Sequence, residues 1–382
     1  MNLYPDQGRV QRLRTARGMT QAELARRLDI PTSALSRVLS GHQPIENDDS
    51  VRLAEALDCS QEVLTRPTSD ALYTRPWLRA YADAPQKVVE QYLADTLLAL
   101  EAFSDLRLKR LPERLPVFTG DLSDDNEIEA FATEVREAAD VSSMQEVPNV
   151  TRASERLGCV VLPMDNELGK HLGMSLFVDG IPVLRVSRPS GDGGIPGDRQ
   201  RFTVAHELGH VTLHSSCRPP DSAEQAKEIE KQAHRFAAAF LLPGDSFLED
   251  LEQTGRGRVT LATLARLKER WGVSVKAMVV RLQQLNRIDV DQARSLYKQI
   301  SARGWNKNEP VDVDNERAIW LGRAIAQRYT GENPIDEAAR LTGLHRSYFE
   351  SWTDWEPATP ANVIELHPRG ATPRMSTSYS RG

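Results

Sequence analysis

The segment from Val204 to His210 constrains this chain more than any other stretch, because it contains the pattern His-Glu-x-x-His. His206 and His210 are four residues apart, so on a helix their side chains lie one above the other, close enough to share a cation. Neutral imidazole nitrogens suit Zn²⁺ at about 2.0–2.1 Å. Glu207, beside the first histidine, is placed to reach a water at the metal rather than the metal. The pattern predicts one zinc ion per chain, bound by both histidines, with Glu207 as the general base of a metalloprotease.

A catalytic zinc needs a third protein ligand and an open fourth position. We predict that Glu230, which follows His210 on the next predicted helix, is this ligand. Glu228 is two residues away on that helix and therefore faces elsewhere. His234, one turn beyond Glu230, is predicted to orient a ligating histidine by a hydrogen bond. His214, one turn beyond His210, lies past the end of the motif, and we interpret it as structural.

Each of these side chains also has a simpler interpretation. In a chain with 8 histidines the pattern arises by chance in roughly one sequence in a hundred. His206 and His210 would then be incidental, Glu230 a solvated helix carboxylate, and His234 a packed or exposed histidine.

Composition limits the class of protein. A chain of 382 residues predicts two or three domains at roughly 150 residues each. Apolar residues at 40% and charged residues at 27% are typical of a packed globular protein. The net charge of −6 gives no global cationic field, so contact with nucleic acid requires a local basic patch.

Cysteine usage and the apolar runs indicate the compartment. Cys59, Cys159 and Cys217 are few, odd in number and far apart, which argues against a disulfide framework and favours a reducing cytosol. The longest apolar runs, such as 236–242, are far shorter than the roughly 20 residues that span a bilayer. The first residues lack the basic and apolar regions of a signal peptide. We therefore expect a cytoplasmic protein that does not enter a membrane.

Residues 1–66 read as a bundle of short helices. Thr20 and Glu23 form a predicted capping box, and a third helix runs from about 33 to 40. Between Arg9 and Arg37 we count seven arginines and two acids, a local excess of positive charge that suits DNA phosphates. A helical protein-interaction module with a solvated arginine face remains the alternative.

The remaining chain predicts helices around a small sheet. Apolar pieces at 159–162, 174–178 and 181–186 read as strands, and Asp179-Gly180 between the last two is a strong hairpin signal. A Gly-rich loop at 189–197 leads into helices at about 199–214 and 222–242, the second ending at Pro243-Gly244.

The predicted fold class is mainly α with a small β-sheet (α+β). The predicted parts are a helical connector at 67–140, a metallopeptidase domain at 141–310, a helical C-terminal region at 311–356 and a disordered tail at 357–382.

Three segments carry a family resemblance. The run from Phe202 to His210, the run from Glu230 to Ala237 and Leu241-Leu242-Pro243 together resemble the ImmA/IrrE family of zinc metallopeptidases. The resemblance extends from about 145 to 310 and includes the segment from Gly304 to Pro310. It implies a zincin-like, thermolysin-like domain in which an edge strand, within 181–187, aligns an extended substrate by adding it to the sheet.

The resemblance also implies site residues and a role. The family's ligand pattern falls on His206, His210 and Glu230, and its catalytic glutamate falls on Glu207. The common family form has a second acidic residue and Asn or Asp where this chain has Gln232 and His234, which favours Glu230 over position 232 as the ligand. The family implies regulated cleavage of a specific repressor or antitoxin-like protein, linked to stress, phage or mobile-element control.

The segments 20–25 and 35–41 resemble the XRE-type, lambdoid-repressor helix-turn-helix, a five-helix bundle. In that motif the third helix enters the major groove with its N-terminal residues. By position, Gln21 would bond a phosphate, and Thr32, Ser33, Ser36 and Arg37 would face the groove, Arg37 being the candidate for guanine recognition. Thr32 and Ser33 have an alternative role as helix caps. The segment 334–349 also looks helix-turn-helix-like, but it is acidic, and we expect it to pack against the catalytic core.

These features lead to one main hypothesis and two alternatives. The main one is a regulator that binds promoter or operator double-stranded DNA, as a possible homodimer, and uses a zinc endopeptidase to cleave a small helix-turn-helix repressor or antitoxin. In the first alternative, a DNA-binding repressor uses its zinc domain as a sensor or structural element without turnover. In the second, a toxin–antitoxin component acts by sequestration.

Overall fold

The computed structural model describes residues 3–76, 85–165, 172–188, 195–218 and 220–355. Within these ranges, helices surround one three-stranded sheet, which confirms the predicted fold class of a mainly α protein with a small sheet. The predicted tail at 357–382 and residues 189–194 of the predicted Gly-rich loop lie outside the described residues. No helix among the described residues is both long enough and apolar enough to cross a membrane.

The N-terminal bundle consists of α1 (Gln7–Ala16), α2 (Gln21–Arg27), α3 (Thr32–Leu39), α4 (Asn47–Ala56) and α5 (Gln61–Leu64). The predicted capping box is present at the start of α2, where the side chains and backbone amides of Thr20 and Glu23 bond reciprocally. Helix α3 is capped by Pro31 without a side-chain hydrogen bond, so Thr32 and Ser33 belong to the helix itself. The core of the bundle contains fully buried leucines from four helices: Leu13, Leu24, Leu35 and Leu53.

The central part of the chain supplies the sheet and the helices that cover it. Its elements are α6 (Gln86–Asp105), α7 (Asp125–Ala138), α8 (Val150–Leu157), β1 (Val160–Met164), β2 (Gly173–Val178), β3 (Ile181–Ser187), α9 (Gly197–Leu213) and α10 (Ala223–Leu241). The sheet order is β1-β3-β2, with β1 parallel and β2 antiparallel to β3. The predicted hairpin between β2 and β3 is confirmed, and Asp179 and Gly180 both have positive φ, as its two-residue turn requires.

The expectation that an edge strand lies within 181–187 is wrong. Strand β3, which covers 181–187, is the central strand, because β1 pairs with one of its edges and β2 with the other. The hairpin signal fixed the pairing of β2 with β3 but carried no information about the side on which β1 adds. At the outer edge of β2, Tyr73 forms a bridge with Val178, and the backbone amide of Thr74 donates to Phe177 at 3.0 Å. The segment after the N-terminal bundle therefore pairs with the far end of β2.

Helices α9 and α10 pack against each other beneath this sheet. Helix α9 also contacts β2 and β3, whereas α10 packs against α7. The close approach of α9 to α10 depends on Gly209, since a Cβ atom there would lie 3.0 Å from Cδ1 of Phe236 and 3.3 Å from the carbonyl oxygen of Ala233. The contact between these two helices brings the residues of both segments that carry the family resemblance to one place.

The described residues that follow form seven further helices: α11 (Gly244–Gly255), α12 (Leu261–Trp271), α13 (Val275–Gln284), α14 (Val290–Ala302), α15 (Trp320–Arg328), α16 (Pro334–Thr342) and α17 (Arg346–Thr353). Helix α11 is not expected from the sequence, because Pro243-Gly244 indicates only the end of the preceding helix. Pro243 in fact also caps the N-terminus of α11, in keeping with the tolerance of helix starts for proline.

The C-terminal helices meet the expectation only in part. We expected 334–349 to lie on the catalytic core, and α17 does contact strand β1 of that core. The same segment also packs on the N-terminal bundle, where the amide of Ser60 donates to the carbonyl of Gly343 and the hydroxyl of Tyr348 donates to the carbonyl of Leu57 at 3.1 Å. These helices therefore lie between the N-terminal bundle and the sheet, and one apolar core continues through all three parts.

Candidate metal centre

Helices α9 and α10 bring together His206, His210 and Glu230. The two Nε2 atoms of the histidines are 3.1 Å apart, and each lies 3.3 Å from a different carboxylate oxygen of Glu230. Ligand atoms about 2.0–2.1 Å from a tetrahedral zinc are separated from one another by about 3.3 Å. Two imidazoles and one carboxylate at this spacing fit a catalytic zinc site that keeps one position open.

These three side chains are buried, which affects their charges. Burial by itself would raise the pKa of Glu230, but its contacts with the imidazoles of His206 and His210 outweigh burial and hold that pKa well below its usual value. Glu230 is therefore an anionic carboxylate, the form that binds a cation.

Glu207 lies beside this cluster and is held by strand β2. The hydroxyl of Ser175 donates to one carboxylate oxygen of Glu207 at 2.7 Å. The other oxygen lies against Gly173, where an added Cβ would be only 2.6 Å away. Burial raises the pKa of Glu207 to about 8. A carboxyl group that exchanges its proton near neutral pH suits general acid–base chemistry.

A hydrogen-bonded chain extends from His210 away from the three candidate ligands. Nδ1 of His210 lies 3.2 Å from Nδ1 of His214, and Nε2 of His214 lies 3.0 Å from Oε1 of Gln232. The amide nitrogen of Gln232 donates to the carbonyl of Leu122 at 3.1 Å. Burial, followed by the proximity of His210, lowers the pKa of His214 to about 3. Sequence reasoning missed this partnership, although the spacing of His210 and His214 places both on one face of α9.

His234 was predicted to orient a ligating histidine. Its ring centroid lies 4.5 Å from that of His206 and 5.6 Å from that of Phe202. The ring also lines the cleft in front of the cluster. The role of His234 in orienting a ligand stays a prediction.

A cleft of about 1190 Å³ opens in front of His206 and Glu207. On one side it is bounded by Gly173 at the start of β2, and on another by Ala277 and Val280 of α13. Trp305, from the segment after α14, also lines it. The volume of the cleft exceeds the range of about 300–1,000 Å³ that is typical of small-molecule sites.

The N-terminal bundle presents the predicted DNA-contact residues at its surface. Thr32, Ser33, Ser36 and Arg37 are exposed on α3, and Gln21 is half-buried at the start of α2. The arginine count, however, overstated the charge available to DNA. Three of the seven arginines are engaged inside the molecule: Arg9 and Arg12 with Glu101, and Arg17 with Asp58.

The region of the candidate metal centre and the N-terminal bundle each match a known protein family. Residues 155–283, which include the His-Glu-x-x-His helix, match the family described as IrrE N-terminal-like domain. This chain contains an IrrE-like domain. Residues 10–63 match the family described as helix-turn-helix. The resemblances to the ImmA/IrrE family and to XRE-type readers are thus confirmed, and the chain joins a DNA-binding domain to an IrrE-like domain of metallopeptidase type.

Other comparisons add little. No curated protein matches the chain significantly. A solved structure described as a Mycobacterium tuberculosis transcriptional regulator is 20% identical, with a TM-score of 0.30, over 41% of this chain and 46% of that one. The match thus spans about half the length of the solved chain, and at this score the likeness carries no argument about function.

Proposed function

We propose that this chain is a DNA-binding regulator whose IrrE-like domain is a zinc-dependent endopeptidase. The observation that carries the proposal is the convergence of His206, His210 and Glu230 at ligand spacing, with Glu207 buried beside them. Two imidazoles and a carboxylate form the ligand set of known zinc peptidases. The match of this region to the IrrE-like family supports the same chemistry.

In this proposal His206, His210 and Glu230 hold one zinc ion. When bound, zinc polarises a peptide carbonyl and acidifies water. Glu207 takes the proton from the attacking water and returns it to the leaving amide nitrogen, while Ser175 keeps the carboxylate in position. The burial of Glu207 excludes bulk water from the proton that it carries.

We further propose that an extended substrate adds to the outer edge of β2. This edge begins at Gly173, beside Glu207, and its far end pairs with Tyr73 and Thr74. The substrate would therefore pair with the part of β2 nearest the metal cluster, where main-chain hydrogen bonds align the peptide for attack.

The fusion to a helix-turn-helix domain supports a substrate that acts on the same DNA. We propose a small helix-turn-helix repressor or antitoxin as the substrate, and promoter or operator double-stranded DNA as the second partner, bound through Gln21, Thr32, Ser33, Ser36 and Arg37. We also propose a cytoplasmic location and binding as a homodimer, since readers of this type recognise paired half-sites.

The test is the variant Glu207→Gln, incubated with the small helix-turn-helix protein encoded by a neighbouring gene. Zinc binding should persist, because Glu207 is not a ligand, but cleavage of the partner, followed by mass spectrometry, should fall at least about 1000-fold. Glu228→Gln, a matched change at an exposed position of α10, should cleave normally. Cleavage by Glu207→Gln at the wild-type rate would refute the assignment of the base. A wild-type protein that binds zinc and cleaves nothing would favour the sensor alternative.

A further inference from the structure

The hydrogen bonds that join His210, His214, Gln232 and Leu122 have defined donors and acceptors. The carbonyl group at the end of this chain determines which atoms donate. The carbonyl oxygen of Leu122 can only accept a hydrogen bond. The side-chain amide of Gln232 must therefore present its NH₂ group to Leu122, as the 3.1 Å contact shows, and its oxygen to His214. An amide oxygen can only accept, so the proton shared with it belongs to Nε2 of His214.

The same reasoning continues towards the metal cluster. A neutral imidazole with its proton on Nε2 has a lone pair on Nδ1. This Nδ1 of His214 lies 3.2 Å from Nδ1 of His210, so it accepts the proton of His210 at that position. With its proton on Nδ1, His210 has a lone pair on Nε2 that can bind a metal. This Nε2 is the atom that lies next to Nε2 of His206 and the carboxylate of Glu230.

We propose that His214 and Gln232 are positioning residues that hold His210 in the tautomer able to bind a metal. The proposal rests on the proposed function, because it concerns the ligands of the same zinc site. His214 and Gln232 do not touch the cluster of ligand atoms; they act through the ring of His210, whose orientation and proton they determine. The burial of His210, His214 and Gln232 keeps water from replacing any member of this chain.

A glutamine at position 232 can both accept a hydrogen bond from His214 and donate one to the carbonyl of Leu122. A carboxylate or an apolar side chain cannot do both. A carboxylate would accept from His214 but would place an acceptor against the carbonyl of Leu122. An apolar side chain would leave both His214 and Leu122 without this partner, and such buried groups are costly to leave unpaired. The two variants Gln232→Glu and Gln232→Met therefore separate the acceptor function from the donor function.

The first measurement is zinc affinity of the full-length protein, by competition with a chromophoric chelator. Gln232→Met should bind zinc about 10-fold to 100-fold more weakly than wild type, because the tautomer of His210 is no longer enforced. Gln232→Glu keeps the acceptor and should remain within a few-fold of wild type. Gln225→Met, at an exposed position of the same helix, is the matched control and should bind zinc normally.

The second measurement reports the protons themselves and does not depend on stability. In zinc-loaded protein labelled with ¹⁵N-histidine, long-range ¹H–¹⁵N spectra should show the proton of His214 on Nε2 and that of His210 on Nδ1. In Gln232→Met the preference of His214 should be lost, whereas in Gln232→Glu it should persist. A wild-type His214 protonated on Nδ1, or a Gln232→Met variant with unchanged tautomers and zinc affinity, would overturn the proposal. Equal losses in Gln232→Glu and Gln232→Met would overturn it too, since they would indicate a purely structural amide.

The failure of this proposal can be told from failure of the proposed function. Protein that binds zinc with the expected tautomers but shows no Glu207-dependent cleavage would contradict the peptidase and leave the positioning chain intact. Protein that cleaves its partner while His214 has the opposite tautomer would contradict the positioning role of His214 and Gln232 and leave the peptidase intact.

Discussion

At the scale of single residues, the surroundings of Glu207 are decided by strand β2. Ser175 donates to its carboxylate, and Gly173 leaves the space that its second oxygen fills. Both residues lie about thirty positions before Glu207 in the sequence, without a motif around them. A glycine and a serine in a short apolar strand have many ordinary explanations, so the sequence alone did not single them out.

Gly173→Ala should displace the carboxylate of Glu207. The added methyl group would lie 2.6 Å from Oε1 of Glu207 and 2.8 Å from Cγ2 of Thr203, so one of these side chains must move. Because a misplaced general base loses most of its contribution, we expect cleavage to fall about 10-fold to 100-fold, with zinc affinity nearly unchanged. Peptidase assays and zinc titration on the same preparation measure both quantities.

Gly322→Ala is the matched control, since nothing lies within 4 Å of a Cβ at that helical position. It should leave cleavage unchanged and, as an alanine in an exposed helix, should not destabilise the fold. Full activity of Gly173→Ala would show that Glu207 does not need the position seen here.

At the scale of elements, helix α10, which carries Glu230, is held by two further helices. Arg281 of α13 is fully buried, and it donates to the carbonyl of Leu242, just after α10, at 2.9 Å. Its guanidinium also donates to both carboxylate oxygens of Glu129 on α7, which Arg235 of α10 contacts as well. This network ties α7, α10 and α13 together behind Glu230.

Arg281→Met should destabilise the protein. The substitution leaves the buried carbonyl of Leu242 without its donor, at a cost of about 1–3 kcal/mol. Glu129 loses one of its two arginine partners but still pairs with Arg235. We expect this decrease in the free energy of unfolding by urea, measured by circular dichroism. Arg294→Met, which removes an exposed ion pair with Asp291, should have no measurable effect because water screens that pair. Similar stabilities for both variants would contradict the role given to Arg281.

At the scale of the whole molecule, the DNA-binding bundle is built into the rest of the chain. Helix α1 packs against α6, and Arg9 donates to Glu101 on α6 and to the backbone of Pro67. The guanidinium of Arg17 lies 3.6 Å from the ring centroid of Tyr348. Deletion of residues 1–66 would therefore expose the apolar face of α6, and DNA binding is better tested by substitutions in the full chain.

Arg37→Ala should weaken specific DNA binding without changing the peptidase. Arg37 is exposed on α3, and loss of a good contact to guanine costs about 1–3 kcal/mol. With duplexes selected from a random pool by the wild-type protein, we expect affinity to fall about 5-fold to 150-fold at constant salt. Arg303→Ala, exposed at the end of α14, changes the net charge equally and should bind these duplexes normally. Equal affinity of wild type and Arg37→Ala would remove Arg37 from the reading face.

The sequence by itself determined the features that depend on local spacing. The capping box at Thr20, the hairpin at Asp179-Gly180 and the shared face of His206 and His210 follow from periodicities of one strand or one helix. The choice of Glu230 also came from spacing, since Glu228 faces another side of the same helix, and the family resemblance favoured the same residue.

Only the tertiary structure decided features that depend on which elements meet. The sheet order, with β2 rather than β3 at the edge, the partnership of His214 with Gln232 and the internal use of Arg9 each join segments far apart in the chain. Such contacts are selected by the packing of whole elements around a shared core. A residue's own neighbours in sequence therefore carry little information about them.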